Sequence, residues 1–365
     1  MFLSANIADL HFGTIEPLTE YNILTEQFTN KISPLPRLDL ICINGDIFDH
    51  KFMANSDAVY YACRFVDDLV NICRIKGSTL IILGGTASHD AGQLRLFYHY
   101  MEDTSVDVRI VETIKFETVK SAKILCIPEL YGVDESIYDK YLNHTSWYDL
   151  CIIHGTCKGA VYGDNVGRGR LFTPEDFKYC TGAVIAGHVH KPGCFFGYFY
   201  YCGCPIRYKF GEEEAKGFIL LTQYLDSGLH YVHFEPIESF RYDTIYLDQL
   251  VSEDPKVIID YINDLKYRRG IDYIKVRFRY KIPNYNRTII NNYYRNNGNV
   301  FVEFDADNKE IIENSDKISQ INNQYSYLMD KSISDFERFV RYVNDSEGSQ
   351  FISVEQLTEL LNDKE

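Results

Sequence analysis

Acidic and imidazole side chains recur in five short segments of the chain, each directly after an apolar run. The segments hold Asp9 and His11, Asp46 and Asp49, Ser88 to Asp90, His154, and His188 with His190. A pair of divalent ions about 3.5–4 Å apart needs one shared carboxylate and further oxygen and imidazole donors from separate elements. The five segments therefore predict the ligands of a two-metal phosphoesterase, with Asp46 as the bridging ligand.

The spacing within two segments supports this prediction. Asp9 and His11 are one residue apart, so on an extended segment both side chains would point to the same side and approach one ion. His188 and His190 repeat that spacing, which directs Val189 into the protein. His154 supplies a further imidazole.

The apolar runs before these segments are typical of buried parallel strands. They cover residues 2–7, 38–43, 80–83, 150–153 and 183–186. Open α/β sheets place their sites at the carboxyl ends of strands. We therefore expect an α/β fold in which strand ends present the ligands.

Composition favours a soluble, cytoplasmic protein with no membrane segment. The chain has 365 residues, 45% of them apolar, and so can bury a large core in two or three domains. We identify no signal peptide and no apolar run of the ~20 residues that a membrane helix needs. The ten cysteines form no Cys-x-x-Cys pair and are expected to be reduced thiols, with a zinc site at Cys180, Cys194, Cys202 and Cys204 as an alternative.

The order of these motifs resembles the calcineurin-like metallophosphoesterases, and residues 201–218 point to one branch. Gly203-Cys204-Pro205, followed by Glu212 and Lys216, resembles the Gly-Ser-Pro strand pair that follows the last histidines in SbcD-type DNA repair nucleases. Residues 1–240 carry the resemblance. It implies a two-sheet sandwich flanked by helices, with a small α/β capping domain and C-terminal helices.

The family pattern assigns a role to each candidate residue. It implies that Asp9, His11, Asp46 and His190 hold one ion, and that Asp46, His154 and His188 hold the other. His89 matches the histidine that assists the transition state, and Asp90 the acidic residue that orients it. Asp49 falls near the site in a supporting position. The resemblance favours manganese as the metal.

The third motif departs from the family pattern, because no asparagine precedes His89. The run is Gly84-Gly85-Thr86-Ala87-Ser88-His89-Asp90. The missing amide ligand could be replaced by the Ser88 hydroxyl, by Thr86 or by water. A neutral hydroxyl is a poorer ligand than an amide carbonyl, so we expect a weakly held second ion.

The net charge of −15 is unfavourable for phosphate binding, which usually draws on clustered basic residues. The Gly167–Arg170 loop with Lys158 is a candidate basic surface near the site. Arg207 and Lys209 form a second group, and Lys266, Arg268 and Arg269 form a third.

Three regions are expected: a nuclease domain (1–240), a capping domain (241–306) and a helical segment (307–365). In the capping domain the patterns predict strands at 244–247, 273–280 and 300–304 and helices at 255–265 and 287–295. Two amphipathic stretches, 333–343 and 354–361, either pack on their own domain or dock on a partner.

The resemblance implies a DNA exonuclease and endonuclease that pairs with an SbcC-like SMC-type ATPase and forms a homodimer. One alternative is another phosphodiesterase or phosphatase on the same scaffold. A second is a catalytically weakened protein that binds DNA or the ATPase.

Overall fold

The computed structural model describes residues 1–143, 146–160, 170–212, 214–249, 251–295 and 298–304. Its contacts divide the chain into two compact units. Within the described residues, the first contains Met1–Asp243 and Lys266–Tyr273, and the second contains Thr244–Leu265 and residues 274–304. The predicted helical segment 307–365 lies outside the described residues.

Two six-stranded sheets build the first unit. The first sheet runs in the spatial order β14 (His230–Pro236), β13 (Gly217–Gln223), β1 (Phe2–Ile7), β2 (Leu40–Ile43), β3 (Thr79–Leu83) and β4 (Asp107–Val111). The second sheet runs in the order β11 (Gly193–Phe195), β12 (Phe199–Tyr201), β10 (Val184–Gly187), β7 (Leu150–His154), β6 (Ala122–Ile127) and β5 (Lys115–Val119). Strands β1 to β4 are parallel to one another, as are β6, β7, β10 and β12.

Alternate residues of the central strands enter different cores. Leu40 and Cys42 of β2 pack with Ile124 and Ile152 of the second sheet, in the core between the two sheets. Ile41, next to them in sequence, faces the opposite core. Because both faces of the central strands are covered, most of their residues are apolar, and the buried polar pair Ser4 and Asn6 of β1 is joined by a hydrogen bond. The predicted two-sheet α/β architecture is confirmed.

Helices cover the outer faces of both sheets. Against the first sheet lie α1 (Pro17–Leu24), which continues through a π-helical turn (Thr25–Thr29) into α2 (Asn30–Ile32), then α3 (Asp57–Lys76) and a 3₁₀ segment (Leu94–Glu102). Against the second lie α4 (Ser136–Leu142) and a 3₁₀ turn (Pro174–Phe177). The short parallel pair β8 (Thr156–Cys157) and β9 (Leu171–Phe172) lies outside both sheets.

Local signals set the bounds of α3. The Ser56 side chain accepts a hydrogen bond from Val59 N at the start of the helix. Gly77 ends it with φ 63°, a left-handed conformation that glycine adopts without a Cβ penalty. The helix connects β2 to β3 and packs a buried apolar face that includes Phe65 and Leu69 against the first sheet.

A three-stranded sheet and two helices follow residue 241. The strands are β15 (Tyr242–Leu247), β16 (Tyr273–Phe278) and β17 (Val300–Phe304), in that spatial order, and the helices are α5 (Pro255–Arg269) and α6 (Asn284–Tyr294). All five elements were predicted from the sequence, with α5 four residues longer than expected. A membrane-crossing helix is not found in the part of the chain that the structure describes. All ten cysteines are free, and seven of them are buried.

Candidate metal centre

The predicted ligands lie at the carboxyl ends of β1, β2, β7 and β10. The loops that follow β1 and β2 continue the parallel pairing of these strands. Asp9 N donates to Gly45 O (3.0 Å), and His11 N donates to Asp46 O (3.1 Å). These backbone bonds bring the first two motifs side by side.

The loop backbone at the ligands is left-handed, not extended. Asp9, His11, Asp46 and His188 have φ of 53°, 51°, 55° and 89°. The prediction that Asp9 and His11 lie on an extended segment is therefore wrong. Each strand ends in a sharp turn, and the turn brings the polar side chains over the end of the sheet. Aspartate and histidine are among the few residue types that tolerate this conformation.

Asp9, His11 and His190 form the first cluster of donor atoms, all within 4.8 Å of one another. His11 Nε2 lies 3.0 Å from His190 Nε2. Two imidazole nitrogens that bind one ion at about 2.0–2.1 Å lie roughly 3 Å apart. Asp9 is held in place by His188 N, which donates to its carboxylate at 2.9 and 3.0 Å.

Asp46, His154 and His188 form the second cluster. Asp46 Oδ2 lies 3.2 Å from His154 Nε2 and 3.9 Å from His11 Nε2. A single carboxylate oxygen therefore stands between imidazoles of the two clusters. This is the position of a bridging ligand.

Backbone contacts orient His154. Its Nδ1 is 2.7 Å from Asn44 O, so Nδ1 carries the hydrogen and Nε2 is the free donor atom. Nε2 is buried and makes no hydrogen bond of acceptable geometry. A buried imidazole nitrogen that makes no hydrogen bond and lies beside a carboxylate is a donor atom that a metal ion would satisfy.

Asp90 and His89 are oriented differently from the expectation. The Asp90 carboxylate accepts hydrogen bonds from the backbone N–H groups of Gly85, Asp46, Ile47 and Phe48. It therefore fixes the loop that carries Asp46. The expectation that Asp90 orients His89 is corrected, because His89 Nδ1 instead contacts the backbone carbonyl of Asp49.

The Asp49 side chain supports the first cluster from outside. Its Oδ1 accepts from Thr14 Oγ1 at 2.9 Å and lies 4.0 Å from His11 Nδ1, while Oδ2 lies 2.9 Å from His50 Nδ1. The supporting role that the family pattern implies for Asp49 stays a prediction.

Thr86, and not Ser88, is the hydroxyl residue that faces the second cluster. Thr86 N donates to Asp46 Oδ1 (2.6 Å), and Thr86 Oγ1 lies 3.0 Å from Asp46 Oδ2. Ser88 is exposed and is not among the residues that line the cavity over the site. The sharp turn after β3 carries Ser88 away from Asp46.

Glu129 is a site residue that the sequence analysis missed. It follows β6, and its Oε2 lies 3.5 Å from His154 Nε2, 3.2 Å from His188 Nδ1 and 3.0 Å from Thr86 Oγ1. One weak sequence signal for Glu129 was present. Like Asp9, it lies two residues after an apolar run, but no histidine follows it as His11 follows Asp9.

Burial and charge set the protonation of the site. Burial lowers the pKa of His11 to about 3, so this imidazole is neutral and available as a ligand. Although burial opposes ionisation, His154 holds the pKa of Asp46 well below its usual range. Against the same opposition, His188 and His154 lower the pKa of Glu129. Asp46 and Glu129 are thus ionised, as metal binding requires, whereas burial raises the pKa of Asp9.

Two glycines allow the loops to meet. A Cβ at Gly187 would collide with Asn44 O, and a Cβ at Gly85 would collide with Asp46 N and Oδ1. The close approach predicted for Gly187 is therefore present. Val189, between the two histidines of this motif, is buried as expected.

The clusters open into a cavity of about 340 Å³ lined by His11, Thr14, Asp46, Asp49, Thr86, His89, His188, His190, Tyr208, Lys209 and Glu212. Lys209 is exposed and is the only lysine in this lining. Arg170 of the predicted basic loop has a structural role, because it pairs with Asp176 at 2.6 Å and Glu135 at 3.3 Å. Residues 167–169 lie outside the described residues.

The donor set fits two divalent ions. Asp46 of the second cluster lies 3.9 Å from His11 Nε2 of the first, both clusters combine imidazole and carboxylate donors, and the buried His154 Nε2 atom makes no hydrogen bond. Mixed oxygen and nitrogen donors suit first-row divalent metals.

The chain is similar in sequence to a protein named as a phosphoesterase. The chain is 24% identical, over 224 residues, to "Putative phosphoesterase 244L" of Invertebrate iridescent virus 6, which covers 59% of this chain and 74% of that protein. No family model matches the chain.

Solved structures give only distant likenesses. One crystal structure aligns with 64% of this chain and 98% of its own at 12% identity and a TM-score of 0.41. The protein of unknown function AQ665 from Aquifex aeolicus aligns with 49% of this chain and 94% of its own at 15% identity and a TM-score of 0.22.

Proposed function

We propose that the protein is a two-metal phosphoesterase that hydrolyses phosphodiester bonds in DNA. The observation that carries the proposal is the position of Asp46, whose Oδ2 lies within 3.9 Å of imidazoles from both clusters. The similarity to a protein named as a phosphoesterase supports the reaction class.

Asp9, His11, Asp46 and His190 would hold one ion, and Asp46, His154 and His188 the other. Two bound divalent ions supply an activated water for attack on phosphorus and neutralise charge on the phosphate oxygens. Asp90 keeps Asp46 in position through the backbone bonds described above. The protein's own residues thus fix where a phosphate group can enter.

His89 is the candidate general acid. It lines the cavity, and its Nδ1 contacts the Asp49 carbonyl, an acceptor, so that Nδ1 carries a hydrogen. A protonated His89 would then present Nε2–H to the departing oxygen. Lys209 on the same wall adds a cation for a phosphate oxygen.

DNA as the substrate, manganese as the metal and the repair complex rest on the family resemblance of residues 201–218. The net charge of −15 limits the DNA affinity that the chain supplies by itself. We therefore propose that an SbcC-like ATPase supplies further DNA contacts.

The proposal is tested with labelled duplex and hairpin DNA and with bis-p-nitrophenyl phosphate, across manganese, magnesium and zinc. Metal-dependent cleavage of both substrate types supports the nuclease. Cleavage of the small ester alone would favour a different phosphoesterase, for which the acidic net charge is no obstacle. Cleavage of neither, with two ions bound, would contradict both.

The proposed ATPase contact involves residues 333–365, which lie outside the described residues. Their amphipathic pattern is the basis of this part of the proposal. Deleting 333–365 should abolish co-purification with a candidate SMC-type ATPase while sparing hydrolysis of the small ester. Retained association would place the docking surface elsewhere.

A further inference from the structure

The second cluster holds one donor more than the motifs provide. Asp46 Oδ2 and Glu129 Oε2 lie 3.2 Å and 3.5 Å from the same atom, His154 Nε2. Glu129 Oε2 is also 3.2 Å from His188 Nδ1. These are roughly the separations of ligand atoms that share an ion with bonds of about 2.0–2.2 Å.

We propose that Glu129 is a direct ligand of the second ion and takes the place left by the asparagine that the third motif lacks. The site would then hold this ion with two carboxylates and two imidazoles. The inference rests on the two-metal site of the proposed function but not on the identity of its substrate.

Burial and hydrogen bonding position the Glu129 side chain for this role. Its side chain is 5% exposed and enters the cluster from β6 of the second sheet. Tyr131 O–H donates to Oε1, and Thr86 Oγ1 lies 3.0 Å from Oε2. Oε1 is thus fixed by a hydrogen bond from outside, while Oε2 points to the two imidazoles.

A carboxylate changes the expected strength of the site. An amide carbonyl and a hydroxyl are neutral donors, whereas Glu129 adds a full negative charge beside the ion. Charge attraction is large where water is excluded. The weak second site expected from the sequence is therefore replaced by a site of ordinary strength, with an oxygen-rich donor set that suits manganese or magnesium.

A purely orienting role for Glu129, as a hydrogen-bond partner of His188, makes a different prediction. An orienting residue lies one bond further from the ion and never touches it. Metal stoichiometry in solution and the ion position in a manganese-soaked crystal together separate the two roles.

Manganese binding to the full chain is measured by calorimetry and by the electron paramagnetic resonance signal of the coupled ion pair. The wild-type chain should bind two ions. Glu129→Ala should bind one, with loss of the coupled signal and a dissociation constant for the second ion raised at least tenfold. Circular dichroism of each variant checks folding.

Two matched variants complete the design. Glu175→Ala removes an exposed glutamate paired with Lys178 and should bind two ions as the wild type does. Thr86→Val removes the competing hydroxyl and should keep the second ion. Two ions at unchanged affinity in Glu129→Ala, or loss of the second ion in Thr86→Val alone, would overturn the inference.

The crystal of the manganese-soaked wild type should show Glu129 Oε2 at about 2.2 Å from the second ion. A water between them, or a separation of about 4 Å, would assign Glu129 the orienting role and overturn the inference. If the ions bind as expected but neither DNA nor the small ester is cleaved, the proposed function fails and this inference stands. If the wild type binds no ion pair, both fail.

Discussion

The Asp46 carboxylate lies between the two clusters of the candidate metal centre. Its Oδ1 accepts from Thr86 N, which leaves Oδ2 to face His154 and His11. Asp46→Asn keeps the shape of the side chain and removes the charge. We expect the phosphodiesterase rate constant to fall roughly a thousandfold, since several kcal/mol of transition-state stabilisation by the ions is lost.

Steady-state kinetics on the small ester measures this change, with manganese stoichiometry determined on the same samples. The exposed Asp57, in the first turn of α3, provides the control Asp57→Asn, which should behave as the wild type. Unchanged turnover in Asp46→Asn would remove the bridging role.

His89 is expected to act on the leaving group and not on the metal. His89→Ala should lower kcat by roughly 10²–10⁴-fold while both ions remain bound, because a general acid contributes to the transition state alone. The measurement is kcat for an ester with a poor leaving group, compared with an activated nitrophenyl ester. Loss of an ion in His89→Ala would instead identify it as a ligand, since it also lies in a cluster with His11 and Asp46.

At the scale of elements, α1 supports the first ligand loop through a buried glutamate. Glu20 is fully buried, and its Oε2 accepts from Gly13 N at 3.2 Å, while Tyr208 O–H lies 3.3 Å from Oε1. Burial raises the pKa of Glu20 well above its ordinary value, against the lowering effect of these two hydrogen bonds. The folded chain thus binds a proton that the unfolded chain releases.

The raised pKa of Glu20 makes the stability of the folded chain depend on pH. Below the ordinary glutamate pKa, Glu20 is protonated in both the folded and the unfolded chain. Its raised pKa then does not lower the free energy of unfolding. As pH rises from there towards the folded-state pKa, the folded state loses stability relative to the unfolded chain. At pH 8 the melting temperature of Glu20→Gln should therefore be higher than that of the wild type. Near pH 4 the two melting temperatures should be equal.

Thermal unfolding from pH 4 to pH 8, without added metal, measures the difference between the two proteins. Glu26→Gln, at an exposed position on the following π-helical turn, is the control and should show no such pH-dependent difference. A Glu20→Gln variant less stable at pH 8 would show that its two hydrogen bonds outweigh the cost of burial.

Sequence patterns predicted the strands that carry the ligands but not every residue at their ends. The runs before Asp9 and His154 are mainly apolar because both faces of β1 and β7 are covered. The ends of these two strands could therefore be predicted from the sequence. Glu129 is not part of a sequence motif that pairs an acidic residue with a histidine. Its place beside His154 follows from the pairing of β6 with β7, which only the topology reveals.

Other differences arise from contacts between distant residues. Asp90 fixes backbone more than forty residues earlier, a role that no spacing rule indicates. Arg170 forms ion pairs with Asp176 and Glu135, so its charge stabilises the local structure. The left-handed turns at Asp9 and His11 could not be predicted either, because alternation rules assume an extended chain.

At the scale of the whole first unit, the proposed metal ligands come from both sheets of the sandwich. Asp9, His11 and Asp46 follow strands of the first sheet, and His154, His188 and His190 follow strands of the second. Ions bound between them would hold the sheet ends together. Manganese at a hundred times its dissociation constant should stabilise the folded chain by about 2.7 kcal/mol per site.

Thermal unfolding with excess manganese, and then with a chelator, tests this prediction. The wild type should melt higher with the metal and return to its starting temperature after chelation. Asp46→Asn should show a much smaller shift. An equal shift in this variant would indicate manganese binding elsewhere on the chain.

The left-handed backbone at Asp9, His11, Asp46 and His188 also determines how substitution experiments at this site can be read. Each such residue carries roughly 1–2 kcal/mol of conformational cost. Alanine at these positions removes the donor and tolerates the left-handed conformation less well than aspartate or histidine, whereas glycine removes the donor and the conformational cost. An alanine scan would therefore confuse a lost ligand with a weakened fold, and a glycine variant that melts higher than the parent while binding no metal would separate the two effects.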